Sequence, residues 1–258
     1  MRADDYHAFT RELTECIRNE QRAVGLVAVG SMADRDYAPD EWSDHDFFVI
    51  AEPGQQEALR NDLSWLPRRE RIALRFRETE HGVSVIYDDG HLLEFAVFDL
   101  EELGLASVNR YRVLVDQGGV DERVADVADS PPASPDDLFL FGKTLVAALV
   151  ATGRARRGEA LSAAFTLTSA LTHLNRLLIR TLPAGNASIL DEFDSLRRFE
   201  LASPALGRAL AGIVRLDPAV GGPAILDVLE RELRPRRPDL PWPAVEAVRA
   251  RLSQASER

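Results

Sequence analysis

The sequence predicts an α+β chain: a mixed β-sheet carrying helices, followed by an α-helical bundle. Three observations predict it. Short apolar blocks, several with strand-like alternation, run through the first half and are separated by turn residues. Those turns are rich in Gly, Pro and Asp, as at Pro53-Gly54 and Asp89-Gly90. From about residue 136 onward the apolar residues recur instead at three- and four-residue steps. The expected division is therefore a sheet domain over 1–130 and a helical domain over 131–258.

The elements follow in order. Tyr6, Phe9, Leu13, Cys16 and Ile17 share one face of a helix over about 3–22, with Asp4 or Asp5 able to cap its start. Strands are expected at 24–29 and 45–51, joined by a Gly-Ser turn and an acidic loop broken by Pro39. A helix over about 55–65 leads to strands at 71–77 and 82–87. Asp89-Gly90 is a strong hairpin turn, returning the chain into strand 92–98. A short strand at 111–115 ends the sheet. Val120 to Pro135, acidic and then rich in Pro, Ser and Ala, reads as a linker. Beyond it, Leu138, Phe141, Leu145, Ala148 and Leu149 form one face of a first helix. Leu161, Ala164, Phe165, Leu171, Leu174 and Leu178 form one face of a second, stopped by Pro183. Shorter helices are expected at 187–200, 204–214, 222–234 and 242–254, and the short loops between them imply an antiparallel bundle.

Composition narrows the function classes. The chain has 258 residues, 45% of them hydrophobic, which is ordinary for a soluble globular protein. Apolar runs fall short of a membrane-spanning length, and the opening residues MRADDYHAF are too acidic for a secretory signal. Cys16 is the only cysteine, which excludes an intrachain disulfide and a cysteine zinc cluster. A cytoplasmic setting is expected. The net charge of −11 is uneven: residues 1–130 carry −14 and residues 131–258 carry +3. A strongly acidic half disfavours a nucleic-acid backbone and favours metal ions and cationic small molecules, or else only aids solubility.

The chemistry concentrates in VGLVAVGSMADRDYAPDEWSDHDFFVIA. An apolar run ends in Gly30-Ser31, and a second run begins with Asp44-His45-Asp46. Residues two apart on a strand share a face, so Asp44 and Asp46 point one way and His45 the other. Paired carboxylates on a rigid strand suit a hard cation such as Mg²⁺, which binds oxygen and shares its shell with phosphates. Glycine lets backbone approach a phosphate, and backbone N–H groups there form an anion nest. Glu94 is the one acid in an otherwise mostly apolar strand, and a partly buried carboxylate needs a cation or strong donors. If strand 92–98 lies beside strand 45–51, Glu94 reaches the same site as metal ligand or general base.

This pattern resembles the signature of the DNA polymerase beta-type nucleotidyltransferase superfamily: Gly-Ser, a spacer, then Asp-x-Asp. Three stretches are most similar to the antibiotic adenylyltransferases, particularly the streptomycin 6-adenylyltransferase group. They are Asp40 to Asp46, Tyr87 to Phe95, and Leu100 to Leu103 with Val113 to Gly119. They cover about the first 120 residues. Met32 stands where that group has arginine, Arg35 being a nearby substitute, and Glu94 stands where it has aspartate. The resemblance implies that Asp44, Asp46 and Glu94 are catalytic and hold Mg²⁺, and that Gly30 and Ser31 hold the triphosphate. It also implies transfer of AMP from ATP to a hydroxyl of a small cationic substrate such as an aminoglycoside, with pyrophosphate released and antibiotic resistance as the outcome.

Lys143 is the only lysine, against thirty arginines. A compact ammonium suits a tight phosphate site better than a planar guanidinium. Lys143 resembles a lysine that contacts nucleotide phosphates in some antibiotic nucleotidyltransferases; otherwise it is a surface lysine. Other residues read as structural. His45 packs behind the site, His173 sits in the bundle, His81 and His91 are exposed beside a hairpin, and Trp42 and Trp65 anchor loops. No Gly-x-Ser-x-Gly elbow and no phosphate-loop motif is present. Alternatives are a regulatory nucleotidyltransferase acting on a partner protein, and a non-catalytic nucleotide-binding relative.

Overall fold

The helix expected first forms as α1 (Ala3–Asn19), because Tyr6, Phe9, Leu13 and Ile17 present one continuous apolar stripe that the sheet buries completely. The chain is described here from a computed structural model covering residues 3–33, 38–130, 134–182, 189–191 and 194–254. Arg35 and Pro183 lie outside the described residues. The chain divides into two units, Met1–Ala133 and Ser134–Arg258.

In the first unit β1 (Ala23–Val29) leads into a 3₁₀ turn at Gly30–Ala33, and β2 (His45–Ala51) into α2 (Gln56–Asn61). Then come β3 (Ile72–Arg77), β4 (Gly82–Tyr87), β5 (Leu92–Phe98), a 3₁₀ turn at Glu102–Leu105, β6 (Tyr111–Asp116) and α3 (Val120–Ala128). The six strands form one mixed sheet in the order β3-β4-β5-β2-β1-β6. Only β2 and β5 run parallel, the excursion through α2, β3 and β4 returning the chain alongside β2. Alternation then sorts the side chains. Phe47, Val49, Leu93, Phe95, Val97, Val83 and Val85 face α1, while Val27, Ile50 and Phe98 share a second core with Leu103 and α3.

Two expectations fail here for local reasons. The linker expected from Val120 is a helix: Val120, Val124 and Val127 recur at helical spacing and bury against the sheet. The Asp116 carboxylate starts it, accepting the backbone N–H groups of Gly118, Gly119, Val120 and Asp121 at 2.9–3.1 Å. The helix expected over 55–65 stops at Asn61, because Asp62 instead accepts from the Ser64 amide and hydroxyl and turns the chain.

The second unit is helical: α4 (Asp137–Arg156), α5 (Ala160–Thr181), α6 (Phe199–Ala202), α7 (Pro204–Val214), α8 (Pro218–Leu233) and α9 (Pro243–Gln254). Asp136 caps α4 by accepting from the Phe139 amide, and Gly158, at φ +80°, turns the chain from α4 into α5. The α4 helix is long and apolar enough to span a membrane by composition alone. Leu140, Phe141, Leu145, Ala148 and Ala151 instead bury among α5, α8 and α9. Where α8 crosses α4, Gly222 leaves no room for a side chain, since a Cβ would overlap the Thr152 hydroxyl. The helix expected at 187–200 lies partly outside the described residues; of the rest, 190, 191 and 194–198 are turns or irregular, and the α-helix begins only at Phe199.

Candidate functional site

Asp44 and Asp46 straddle the start of β2, so strand alternation aims both at the sheet face opposite α1. The parallel register pairs Asp46 with Glu94 on β5, and the antiparallel register pairs Glu94 with Ser84 on β4. Asp46, Glu94 and Ser84 thus form one row across three strands. One carboxylate oxygen from each of Asp44, Asp46 and Glu94 lies within 4.8 Å of the others. The three acids come from two separate segments, brought together by strand pairing.

The donor set fits a hard divalent cation. All three groups are carboxylates, and an ion with bonds of about 2.1 Å holds opposed oxygens about 4.2 Å apart. Rotation of the side chains spans the difference. Electrostatics point the same way: burial, and then the charges of Asp44 and Glu78, push the Glu94 carboxyl above the usual carboxylate range. A cation at the centre would relieve that repulsion.

Gly30 closes the other wall. Its φ is +53°, a conformation that favours glycine, and a Cβ there would overlap Asp46 Oδ2 and lie 3.2 Å from Asp46 Cγ. The Gly-Ser turn therefore packs directly against the side chain of the second aspartate. Ser31 is only 6% exposed, and its hydroxyl faces inward. Its Oγ lies 2.9 Å from both the Tyr6 hydroxyl and the Asp44 carbonyl.

Behind the site, His45 is fully buried against α1, as expected. Burial, and then the neighbouring His91, push its imidazole down to about 3. His91, expected in solvent, is buried too, with Nε2 at 2.8 Å from His45 Nδ1, and burial pushes it down to about 4. His81 is half-buried, with Nδ1 2.9 Å from the Arg60 guanidinium. Trp65 is a core residue, but Trp42, expected to anchor its loop in the core, is 87% exposed two residues before Asp44. Its turn is held instead by Asp40, which accepts from the Trp42 amide and the Ser43 hydroxyl.

Lys143 is exposed on α4, in the second unit, and its charge is felt by the half-buried His173 on α5. Sequence reasoning missed three residues around the acids. Tyr6 reads only as one more apolar position of α1, although its hydroxyl touches both Ser31 and Asp44. Ser84 and Glu78, hydrogen-bonded at 2.8 Å beside Glu94, carry no local signal, since strand register brings Ser84 there and the β3–β4 turn brings Glu78.

No family model and no curated protein matches the sequence. Among solved structures, the chain is similar to an aminoglycoside 6-adenyltransferase from Bacillus subtilis, at 10% identity and a TM-score of 0.39. That likeness covers 96% of this chain and 97% of the other. A nucleotidyltransferase-like protein from Exiguobacterium sibiricum is similar at 13% identity and a TM-score of 0.36, over 89% of this chain and 75% of that one. The CD-NTase CdnG of Bradyrhizobium diazoefficiens, solved in complex with GTP, is similar at 15% identity and a TM-score of 0.26, over 99% and 92% of the two chains. At these scores the likenesses fix neither activity nor substrate, which rest on the chain's own site.

Proposed function

We propose that the chain is a metal-dependent nucleotidyltransferase that moves AMP from ATP to a hydroxyl of a small cationic acceptor, releasing pyrophosphate. The observation that carries this reading is the convergence of Asp44, Asp46 and Glu94 within 4.8 Å, beside a glycine turn that admits no side chain. A bound divalent ion, Mg²⁺ in this reading, supplies charge neutralisation at the reacting phosphate.

The remaining work belongs to the chain. Asp46 on β2 and Asp44 just before it would hold the ion, the strand fixing the position of the second. Glu94, the most exposed of the three, completes the acid set and receives the proton of the acceptor hydroxyl. The acceptor oxygen then bonds to the α-phosphorus as the bond to pyrophosphate breaks. Gly30 and Ser31 contribute to triphosphate binding through their backbone, since the Ser31 hydroxyl is engaged inside the protein. The phosphate role expected of Lys143 rests on the resemblance of the sequence alone.

An aminoglycoside-like acceptor is favoured by two features. Residues 1–130 carry a net −14, which draws polycations toward the site. Phe76 pairs with Ser84 on β3, in the row that holds Glu94, and is 47% exposed, giving a sugar ring an aromatic surface to rest on. A cytoplasmic setting suits an ATP-consuming chain with a lone cysteine.

The test is transfer of label from α-labelled ATP, with Mg²⁺, to streptomycin and a panel of related aminoglycosides. Asp46→Asn should abolish transfer, a loss of at least about a thousandfold, while leaving the thermal midpoint intact. Transfer that survives in Asp46→Asn would refute the metal role. Transfer only to a protein would replace the small-molecule acceptor with a partner chain.

A further inference from the structure

The contacts behind the acids form a directed chain. The Thr10 hydroxyl donates its one proton to the Tyr6 carbonyl at 3.0 Å, so its oxygen accepts from His45 Nε2, also at 3.0 Å. His45 therefore carries its proton on Nε2, and its Nδ1 accepts from His91 Nε2 at 2.8 Å. The His45 ring, locked in this way, stacks on the Tyr6 ring with centroids 3.9 Å apart and planes 28° apart. Tyr6 is thus fixed in position and orientation inside a fully buried core.

Its hydroxyl emerges where the site begins. It lies 2.9 Å from Ser31 Oγ and donates to the Asp44 carbonyl at 3.0 Å, while Ser31 Oγ reaches the same carbonyl at 2.9 Å. Three elements, α1, the Gly-Ser turn and the entry to β2, meet at this triangle. The β1–β2 ladder ends at the Ala28–Phe47 pair, three residues short of both Ser31 and Asp44, so beyond it these hydrogen bonds tie the turn to the strand entry. We propose that Tyr6 is a positioning residue, its hydroxyl fixing the distance between the phosphate-facing turn and the first metal-ligating residue. This rests on the metal and nucleotide reading given above.

The test measures Mn²⁺ binding by the full-length chain, following the free ion by electron paramagnetic resonance in the presence of α,β-methylene-ATP. Four proteins are compared: wild type, Tyr6→Phe, Ile17→Val and Asp46→Asn. Tyr6→Phe keeps the ring stack and removes only the hydroxyl, and should weaken Mn²⁺ binding by about three- to tenfold. Ile17→Val loses packing on the same buried helix face and controls for general loosening. It should bind Mn²⁺ within about twofold of wild type, as expected where no hydrogen bond near the site is lost. Wild-type binding by Tyr6→Phe overturns the proposal, and so does an equal loss in Ile17→Val, which would mark a merely structural role. Asp46→Asn separates the two levels: if it binds Mn²⁺ like wild type, the metal reading fails and the proposal with it. Should Tyr6→Phe not fold, Ser31→Ala removes the Tyr6–Ser31 side of the triangle while leaving the Tyr6–Asp44 bond, and must also weaken Mn²⁺ binding; wild-type binding there overturns the proposal.

Discussion

Gly30 shows how much one residue can decide. At φ +53° an L side chain is strained, and here the space it would need is filled by the Asp46 carboxylate. Gly30→Ala therefore has two costs, about 1 kcal/mol of backbone strain and a displaced Asp46 carboxylate, the ligand proposed above. The expected outcome is a fold that survives with Mn²⁺ affinity reduced by about tenfold or more, equivalent to about 1.4 kcal/mol, read from the same paramagnetic titration. Glu94 is the converse case, a residue whose chemistry comes from its neighbours. Nothing within its own strand raises its proton affinity; the Asp44 charge across the strand pair and Glu78 in the β3–β4 turn add to the effect of burial.

At the level of elements, α3 depends on a residue outside it. Asp116 sits at the end of β6 and accepts four backbone N–H groups, satisfying donors that the first turn of a helix leaves open. Those hydrogen bonds also hold its carboxyl below the usual carboxylate range. Asp116→Ala should cost about 1–2 kcal/mol, read as a lower urea midpoint with an unchanged slope. Because α3 covers Val27, Ile50 and Phe98 on the acid-bearing face of the sheet, loosening it should also speed amide exchange in β1 and β2. Among the strands, β2 and β5 matter most. Their parallel register matches Asp46 with Glu94, and a slip of one residue would turn Glu94 into the α1 core.

Across the whole molecule, the buried imidazole pair links stability to pH. His45 and His91 are neutral in the fold, with proton affinities depressed to about 3 and about 4, against about 6.5 when unfolded. A depressed basic group stabilises fully above its unfolded value, and that stability is lost as pH falls from there toward the folded values. Between pH 6.5 and 5 the unfolded chain takes up protons that the native chain refuses. Each imidazole should then lower stability by up to about 1.4 kcal/mol per pH unit. Urea midpoints across this window should fall with pH in the wild type, and His91→Gln should remove roughly half of the slope. An equal slope in both proteins would show that the pair is not what titrates.

Much of this was legible in the chain itself, because it lives in short-range pattern. The period of the apolar residues separates strand from helix, the Asp-x-Asp spacing places two carboxylates on one face, and Gly30-Ser31 marks a close backbone approach. What the sequence left open are the features that depend on which strands lie side by side and what covers them. Strand pairing brought Glu94 and Ser84 to the acids, and the β3–β4 turn brought Glu78. Packing of α1 buried His91 and gave Tyr6 a polar role that its helical period could not reveal. A carboxylate four residues upstream made a helix of the first part of an apparent linker, and among the described residues no element covers Trp42. Periodicity reports which face a residue shares with its neighbours in sequence; only the fold decides what that face meets.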